Sequence, residues 1–398
     1  MTNIHFPVSF KLSSGGLFYS ILTRLHIQES GRYSTRRRIF VLTTLCWLPL
    51  FLLAAYEGNL ISHQLDIPFV YDMKPYVRFL ITIPFLIVVD ELIDPLIAGN
   101  LQGIGSSGVI GEADENTYKK AVERFRSGKD SYLADMVILV VIAIMVILYL
   151  VNLEDFAADY DRGHWAITRE NNASQLTYAG WWFVLVSSPL LQILLFRWFW
   201  RFYLWAGFLF RVSRINLNLQ PTHPDMAGGL GILKNGESSF ILIFVAFGAM
   251  LSVSLADQMR YGDMTFTLAQ YYIAGYIGAS ILIMTLPLVF FTGQLIQAKR
   301  RGRLVYGDLG YRLSEAFDRK WGDPEDKSSG EELLKTADAS AVCDYSDVYD
   351  VVREMQYLPI RMKDFAAQAF LLVMPFIPLI FIKIPVTVVI KRIFESLI

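Results

Sequence analysis

Two groups of residues in this sequence have the types and spacing to do chemistry. The first is Pro221-Thr222-His223-Pro224-Asp225-Met226-Ala227-Gly228-Gly229-Leu230-Gly231. His223 and Asp225 stand two apart, so one can orient the other, and both can bind a cation or titrate near neutrality. Two prolines stiffen this backbone, while Gly228, Gly229 and Gly231 let it turn tightly or approach a ligand closely. The glycine-rich piece precedes an apolar run, so its amides could cradle a phosphate such as a lipid headgroup. A rigid turn with a helix cap is the competing reading. The second group is Asp90, Glu91 and Asp94, which interrupt a long apolar run. Asp90 and Asp94 share a helix face at a spacing of four. Carboxylates at membrane depth are costly and face protein or water. They suit a cation or proton site, an ion pair with Arg197 or Arg201, or a chain already leaving the membrane. Asp135 stands where it could join them.

The elements that must position these residues are helices long enough to cross a bilayer. Apolar runs occupy 39–56, 77–98, 132–151, 181–196, 240–255 and 271–297, and a seventh, 365–382, is broken by Pro375 and Pro378. Lys and Arg mark the connections that are not translocated. Arg32, Arg36, Arg37 and Arg38 precede the first run, and Lys119, Lys120, Arg124, Arg126 and Lys129 lie between the second and third. Arg211, Arg214 and Lys234 follow the fourth, and Lys299, Arg300, Arg301 and Arg303 follow the sixth. The intervening connections hold Lys74 as the only base of the first, then Glu154, Asp155, Asp159 and Asp161, then Asp257, Arg260 and Asp263. This alternation predicts an all-α polytopic bundle with a cytoplasmic N-terminus. Trp181 and Trp182 fit one membrane interface, and Trp198, Trp200 and Trp205 fit the other. Pro189, after Ser187-Ser188, offers a kink in a helix too long for the hydrocarbon core.

Four regions follow: 1–38, an N-terminal segment; 39–297, a six-helix bundle; 298–364, a small cytoplasmic segment; and 365–398, a C-terminal membrane segment. Phe18, Ile21, Leu22 and Leu25 form one amphipathic stripe, and Val386, Val389, Ile390, Ile393, Phe394 and Leu397 form another. Each suits a helix in the membrane interface or one packed on the bundle. Asp323-Pro324 and Lys327-Ser328-Ser329-Gly330 break the 298–364 segment. Ala274/Gly278, Gly275/Ala279 and Gly248/Ser252 have the spacing for close helix contact, expected within the subunit in preference to a homo-oligomer seam. Asn172-Ala173-Ser174 is an acceptor only in a glycosylating host.

Composition narrows the function classes. Apolar residues are 54% of the 398, above the usual share for a soluble domain. The net charge of −1 gives no case for nucleic acid. Cys46 and Cys343 make no disulfide framework, and no Cys/His cluster has zinc spacing. The first run starts too far in for a cleavable signal peptide and is expected to act as its own insertion signal. The 298–364 segment carries no nucleotide-binding, kinase or hydrolase motif, and no cofactor is implied.

The Pro-Thr-His-Pro-Asp-x-x-Gly-Gly-Leu-Gly loop resembles the hallmark of a family of uncharacterised bacterial multi-pass membrane proteins. So do Phe317-Asp318-Arg319-Lys320-Trp321, Tyr349-Asp350-Val351-Val352-Arg353-Glu354-Met355 and the proline-rich end. The resemblance implies a bacterial cytoplasmic membrane and transfers no activity. Three functions compete. The acids inside a span put a transporter or channel with an acidic site in the second span first, with the next reading as its alternative. The surface helices and the 298–364 segment favour a non-catalytic scaffold or sensor that holds lipids or partners. A lipid enzyme built on His223 and Asp225 ranks last, because it lacks a nucleophile–base set.

Overall fold

The computed structural model describes residues 11–27, 32–157, 164–170, 173–322 and 336–383. The predicted stripe at 386–397, the breakers at 323–330, Asp159, Asp161 and Asn172 lie outside them.

Hydrogen bonds between connections sort this helical chain into two ends. At one end, Trp165 N donates to Ile67 O (3.1 Å), Tyr178 N donates to Glu57 (2.7 Å), and Lys74 pairs with Asp257. These contacts join the acidic connections. At the other end, Asn218 N donates to Val109 O (2.8 Å), Gln356 N to Met226 O (2.7 Å), and Lys129 Nζ to Ser14 O (3.1 Å). These join the basic ones. The charge alternation thus corresponds to a physical separation of the connections.

Six helices among the described residues are long and apolar enough to cross a membrane: Ser34–Tyr56, Tyr132–Val151, Tyr178–Val212, Leu233–Tyr261, Phe266–Val289 and Met362–Phe381. The chain is therefore a multi-pass membrane protein. Ser131, Thr177 and Thr265 cap three of these helices by accepting from Ala134 N, Gly180 N and Leu268 N. The proline-rich segment near the C-terminus belongs to this set, and the 77–98 run does not, because its charges remove it. That run nevertheless forms continuous helix, Tyr76–Thr82 followed by Ile83–Ser106, which leads from the acidic end to the basic end. Ile83, Ile87, Val89, Ile93 and Ile97 on it are fully buried. Its neighbours cover this face, which also holds Asp90 and Asp94, while Val88, Leu92 and Leu96 on the other face stay exposed. Placed in chain order with the six candidate spans, it is the second of seven long membrane-region helices among the described residues, called crossings below.

Two crossings contain a π turn near their start, Tyr76–Thr82 and Phe183–Ser187, and in each case the second residue after it is proline, Pro84 or Pro189. Proline cannot donate to the carbonyl four residues back and its ring crowds that carbonyl. A wider turn relieves both problems without breaking the helix. The 35-residue Tyr178–Val212 crossing stays continuous in this way.

Two expectations change. The 271–297 run is not one span: it ends at Val289, and Thr292–Trp321 starts a separate helix. The apolar pair Phe290-Phe291 hid that break. Ala274, Gly275, Gly278 and Ala279 are exposed, and a methyl added at either glycine would meet nothing within 4 Å. Among the described residues these two glycines therefore seat no close helix contact. Gly248 does, with Tyr276, Pro375 and Phe376 at 3.4–3.5 Å from an added Cβ.

Gly16–Arg24 is the predicted N-terminal helix. Leu22 is buried against the bundle, while Ile21 and Leu25 stay exposed. Thr292–Trp321 pairs with Asp338–Glu354 to form a helical arm beyond the basic end. Gly310 admits Tyr345 there, since an added Cβ would lie 2.9 Å from its ring. Between the third and fourth crossings, Ile167–Glu170 and Ala173–Leu176 form an antiparallel ribbon, with Ile167 opposite Leu176.

Candidate functional site

Asp90 lies on the inward face of the second crossing and is 4% exposed. Arg38, from the first crossing, donates to its Oδ2 at 2.7 Å, and Arg201, from the fourth, donates to its Oδ1 at 2.7 Å. One turn on, Asp94 accepts from Ser13 twice: the backbone N–H at 2.9 Å and the hydroxyl at 2.5 Å. Asp135, at the start of the third crossing, accepts from Leu17 N and lies 3.5 Å from Arg197. The two remaining guanidinium contacts go to the same segment. Arg197 donates to Gly15 O (2.6 Å) and Arg201 to Ser13 O (3.1 Å). Residues 13–17 therefore lie as a strap across the cluster.

The strap follows from its residue types. Gly15 and Gly16 have φ of 97° and 80°, a region that L side chains rarely adopt. A side chain at Gly16 would also run into the Asp135 carboxylate. Leu12 and Leu22 anchor the strap at both sides of this turn, each almost fully buried. Arg201 further stacks on Trp198, its guanidinium carbon 4.5 Å from the ring centroid. Glu91 is one residue further round the helix, is exposed, and accepts from Thr35. The two acids at a spacing of four join the cluster, and the third does not.

The void among Ser13, Phe18, Arg38, Asp90, Arg197 and Arg201 measures about 10 Å³, room for one water at most. Chemically the arrangement is a set of ion pairs closed by backbone amides and carbonyls. Among the described residues, no three His, Cys, Asp or Glu side chains converge to hold a metal ion.

The Pro221–Gly231 loop is ordered at the same end. Its amides are already engaged: Ala227 N (2.8 Å), Gly229 N (3.0 Å) and Gly231 N (2.8 Å) all donate to the Asp225 carboxylate. The anion this loop cradles is its own Asp225, which corrects the expectation of a phosphate cradle. Gly228 and Gly229 take φ of 67° and 99° to aim those amides inward. Burial works to raise the Asp225 pKa, but the amides of Ala227, Gly231 and Gly229 and then His223 outweigh it and hold it below the usual carboxylate value. His223 Nδ1 lies 2.8 Å from Asp225 Oδ1 and 3.3 Å from Asp225 N. The first contact needs a proton on Nδ1 and the second needs its lone pair, so each tautomer makes one of them. The loop docks the arm. Pro221 sits over Gly302, where an added Cβ would lie 2.6 Å from it, and Met226 O accepts from Gln356 N.

The acidic end carries a second polar knot that the sequence did not suggest. Asp72 accepts from Trp165 Nε1 (2.8 Å), His164 Nε2 (3.4 Å) and Lys74 N (2.9 Å). His164 Nδ1 accepts from Ala166 N at 3.2 Å, which fixes the Nε2–H tautomer. Burial tends to raise the Asp72 pKa, yet the hydrogen bonds from His164, Trp165 and Lys74 N bring it below the usual value.

Sequence reading missed Arg38 as a partner of Asp90, because Arg38 looks like one more member of a basic run. It also missed the strap, although Ser13-Ser14-Gly15-Gly16 is a turn signal in plain view. No family model matches this chain, and neither a curated protein nor a solved structure does.

Proposed function

We propose that this chain is a non-catalytic scaffold or sensor of a bacterial cytoplasmic membrane, with its basic end in the cytoplasm. One observation carries this reading: the acids most suited to a transport site are bound by arginines and sealed by residues 13–17, leaving about 10 Å³. Among the described residues, the void beside Asp90 is too small for a solute larger than water. What the basic end offers instead is surface, namely the strap helix with Ile21 and Leu25 exposed, and the arm with Leu304, Val305 and Tyr311 exposed. Membrane lipid and cytoplasmic partners are the occupants this surface suits.

Reconstitution in proteoliposomes tests the reading. Monovalent-cation and proton flux should not exceed that of protein-free vesicles. Flux abolished by Asp90→Asn would overturn it in favour of transport. That second reading draws on carboxylates inside a crossing, and it requires the strap to leave.

Orientation has its own test. Cys343 is exposed on the arm and Cys46 is buried, so the native chain carries one accessible thiol among its two cysteines. An impermeant maleimide should label Cys343 only after the cells are opened. Rapid labelling of intact cells would place the arm outside.

A further inference from the structure

The helical arm holds a cavity between its two helices, Thr292–Trp321 and Asp338–Glu354. Arg303 donates to Arg353 O, Tyr345 to Tyr306 O, and Lys320 pairs with Asp338, so the two helices run antiparallel. Neither is among the candidate membrane spans.

Tyr345 and Tyr349 stand four apart, so both sit on one face of the second helix. They reach toward glycines on the first. The Tyr345 ring fills the space over Gly310. A Cβ added at Gly307 would meet only the Tyr349 hydroxyl, at 3.8 Å. The space over Gly307 is therefore open. Tyr306, Tyr345 and Tyr349 line a void of about 340 Å³, the size of a small-molecule site.

The charge of this void has one sign. Asp350 lines it, and no Lys or Arg does. The same helix carries Asp338, Asp344, Asp347 and Glu354 against Arg353 alone. Arg353 meets Asp350 at 3.1 Å, but both side chains are more than half exposed, and such a pair holds weakly. An anion finds no partner in this lining. A metal ion wants several oxygens converging on one point, and Asp350 is the single carboxylate there. A cation whose charge is spread over alkyl groups needs neither. It rests on the electron-rich faces of aromatic rings beside one acid.

We propose that this cavity binds an organic cation of the alkylammonium class, held against Tyr306, Tyr345 and Tyr349 with Asp350 as its counter-charge. The site lies outside the crossings, so it stands whether or not the scaffold reading does. The ammonium group arrives on a free solute or on a lipid headgroup, since the arm starts directly after the sixth crossing.

Isothermal titration calorimetry of the full chain in a maltoside detergent tests this, with choline as the probe and sodium chloride as the ionic control. Choline should bind saturably. The neutral analogue with a tert-butyl group in place of trimethylammonium should bind about tenfold more weakly. Tyr349→Leu should weaken choline by a similar factor, while Tyr349→Phe keeps most of the affinity, because the ring face carries the contact. Gly307→Leu should abolish binding by filling the void. That position has room for a side chain, and leucine favours a helix over glycine, so the arm stays folded. Competition by phosphatidylcholine and not by phosphatidylglycerol would assign the cation to a lipid headgroup, and no competition would assign it to a free solute. Absence of saturable choline binding overturns the proposal. So does equal binding of the neutral analogue, or unchanged choline affinity in folded Gly307→Leu.

Discussion

Arg201 Nη1 lies 2.7 Å from Asp90 Oδ1, joining residues 111 apart in the chain deep inside the bundle. The same guanidinium reaches Ser13 O at 3.1 Å. One side chain therefore ties the second and fourth crossings together and holds the N-terminal strap over both. Arg38 takes the other oxygen of Asp90, so this one carboxylate bridges two guanidinium groups inside the bundle.

Asp90→Asn should destabilise the protein. Removing one member of a buried pair typically costs about 3–5 kcal/mol, because the surviving charge is stranded. Thermal unfolding in detergent, followed by size-exclusion, should show a clear fall in midpoint. Combining Asp90→Asn with Arg201→Met should recover part of it. Unchanged stability in the single variant would mean the pair is not structural.

The strap should depend on Gly16. At φ of 80°, with the Asp135 carboxylate against its Cα, Gly16→Val cannot keep the native turn. The bonds from Ser13 to Asp94 and from Leu17 to Asp135 should be lost together. Limited proteolysis should then cut after Arg24 in the variant at a concentration that leaves the wild type whole. Equal resistance in both would show that the strap is not held at this point.

How far the sequence was legible depends on what each feature needs. The charge of each connection is local information, and it separated the two ends correctly. The spacing of Asp90 and Asp94 placed both on one face and proposed Arg201 as a partner, which only required knowing which halves of two crossings lie at the same depth. Arg38 needed the rotation of the first helix about its axis, which no local pattern supplies. Glu237 and Asn100 were hidden differently. Each is a single polar residue at the edge of an apolar run, and only the packing of the helices shows that both are buried. The break after Val289 was invisible because two phenylalanines carry the hydrophobic run across it.

At the acidic end, Asp72→Asn should loosen the fold around Trp165. It keeps the cap geometry at Lys74 but removes the charge that His164 and Trp165 Nε1 share. A hydrogen bond to a charged group contributes about 1.5–3 kcal/mol, and a neutral acceptor keeps part of that. Trp165 is buried and meets Phe69 edge-on at 5.0 Å, so its displacement should expose the indole to an aqueous quencher. Trp165→Phe in the same background should abolish the quenching change. If quenching does not differ between Asp72→Asn and wild type, the knot is not what holds Trp165.

The Asp225 loop gives a prediction with a defined pH sense. Its carboxylate is held below the usual value by three amides and His223, against the opposing effect of burial. A depressed folded-state pKa means that the unfolded chain takes up the proton first as pH falls. The carboxylate's contribution is therefore complete above its unfolded pKa of about 3.9 and fades as pH drops through the folded value. Asp225→Asn loses that contribution at all pH values, since an amide offers one acceptor oxygen where the loop aims three N–H groups at two. The wild type should be more stable than Asp225→Asn by about 1–3 kcal/mol at neutral pH, the cost of leaving buried donors unsatisfied. Thermal midpoints measured in detergent should show a constant gap from pH 6 to pH 8, at about the region where the carboxylate is fully ionised. Below about pH 4 the gap should narrow. A gap that widens toward acid would reverse the sign of the linkage and refute the assignment of Asp225 as the anion in its own loop.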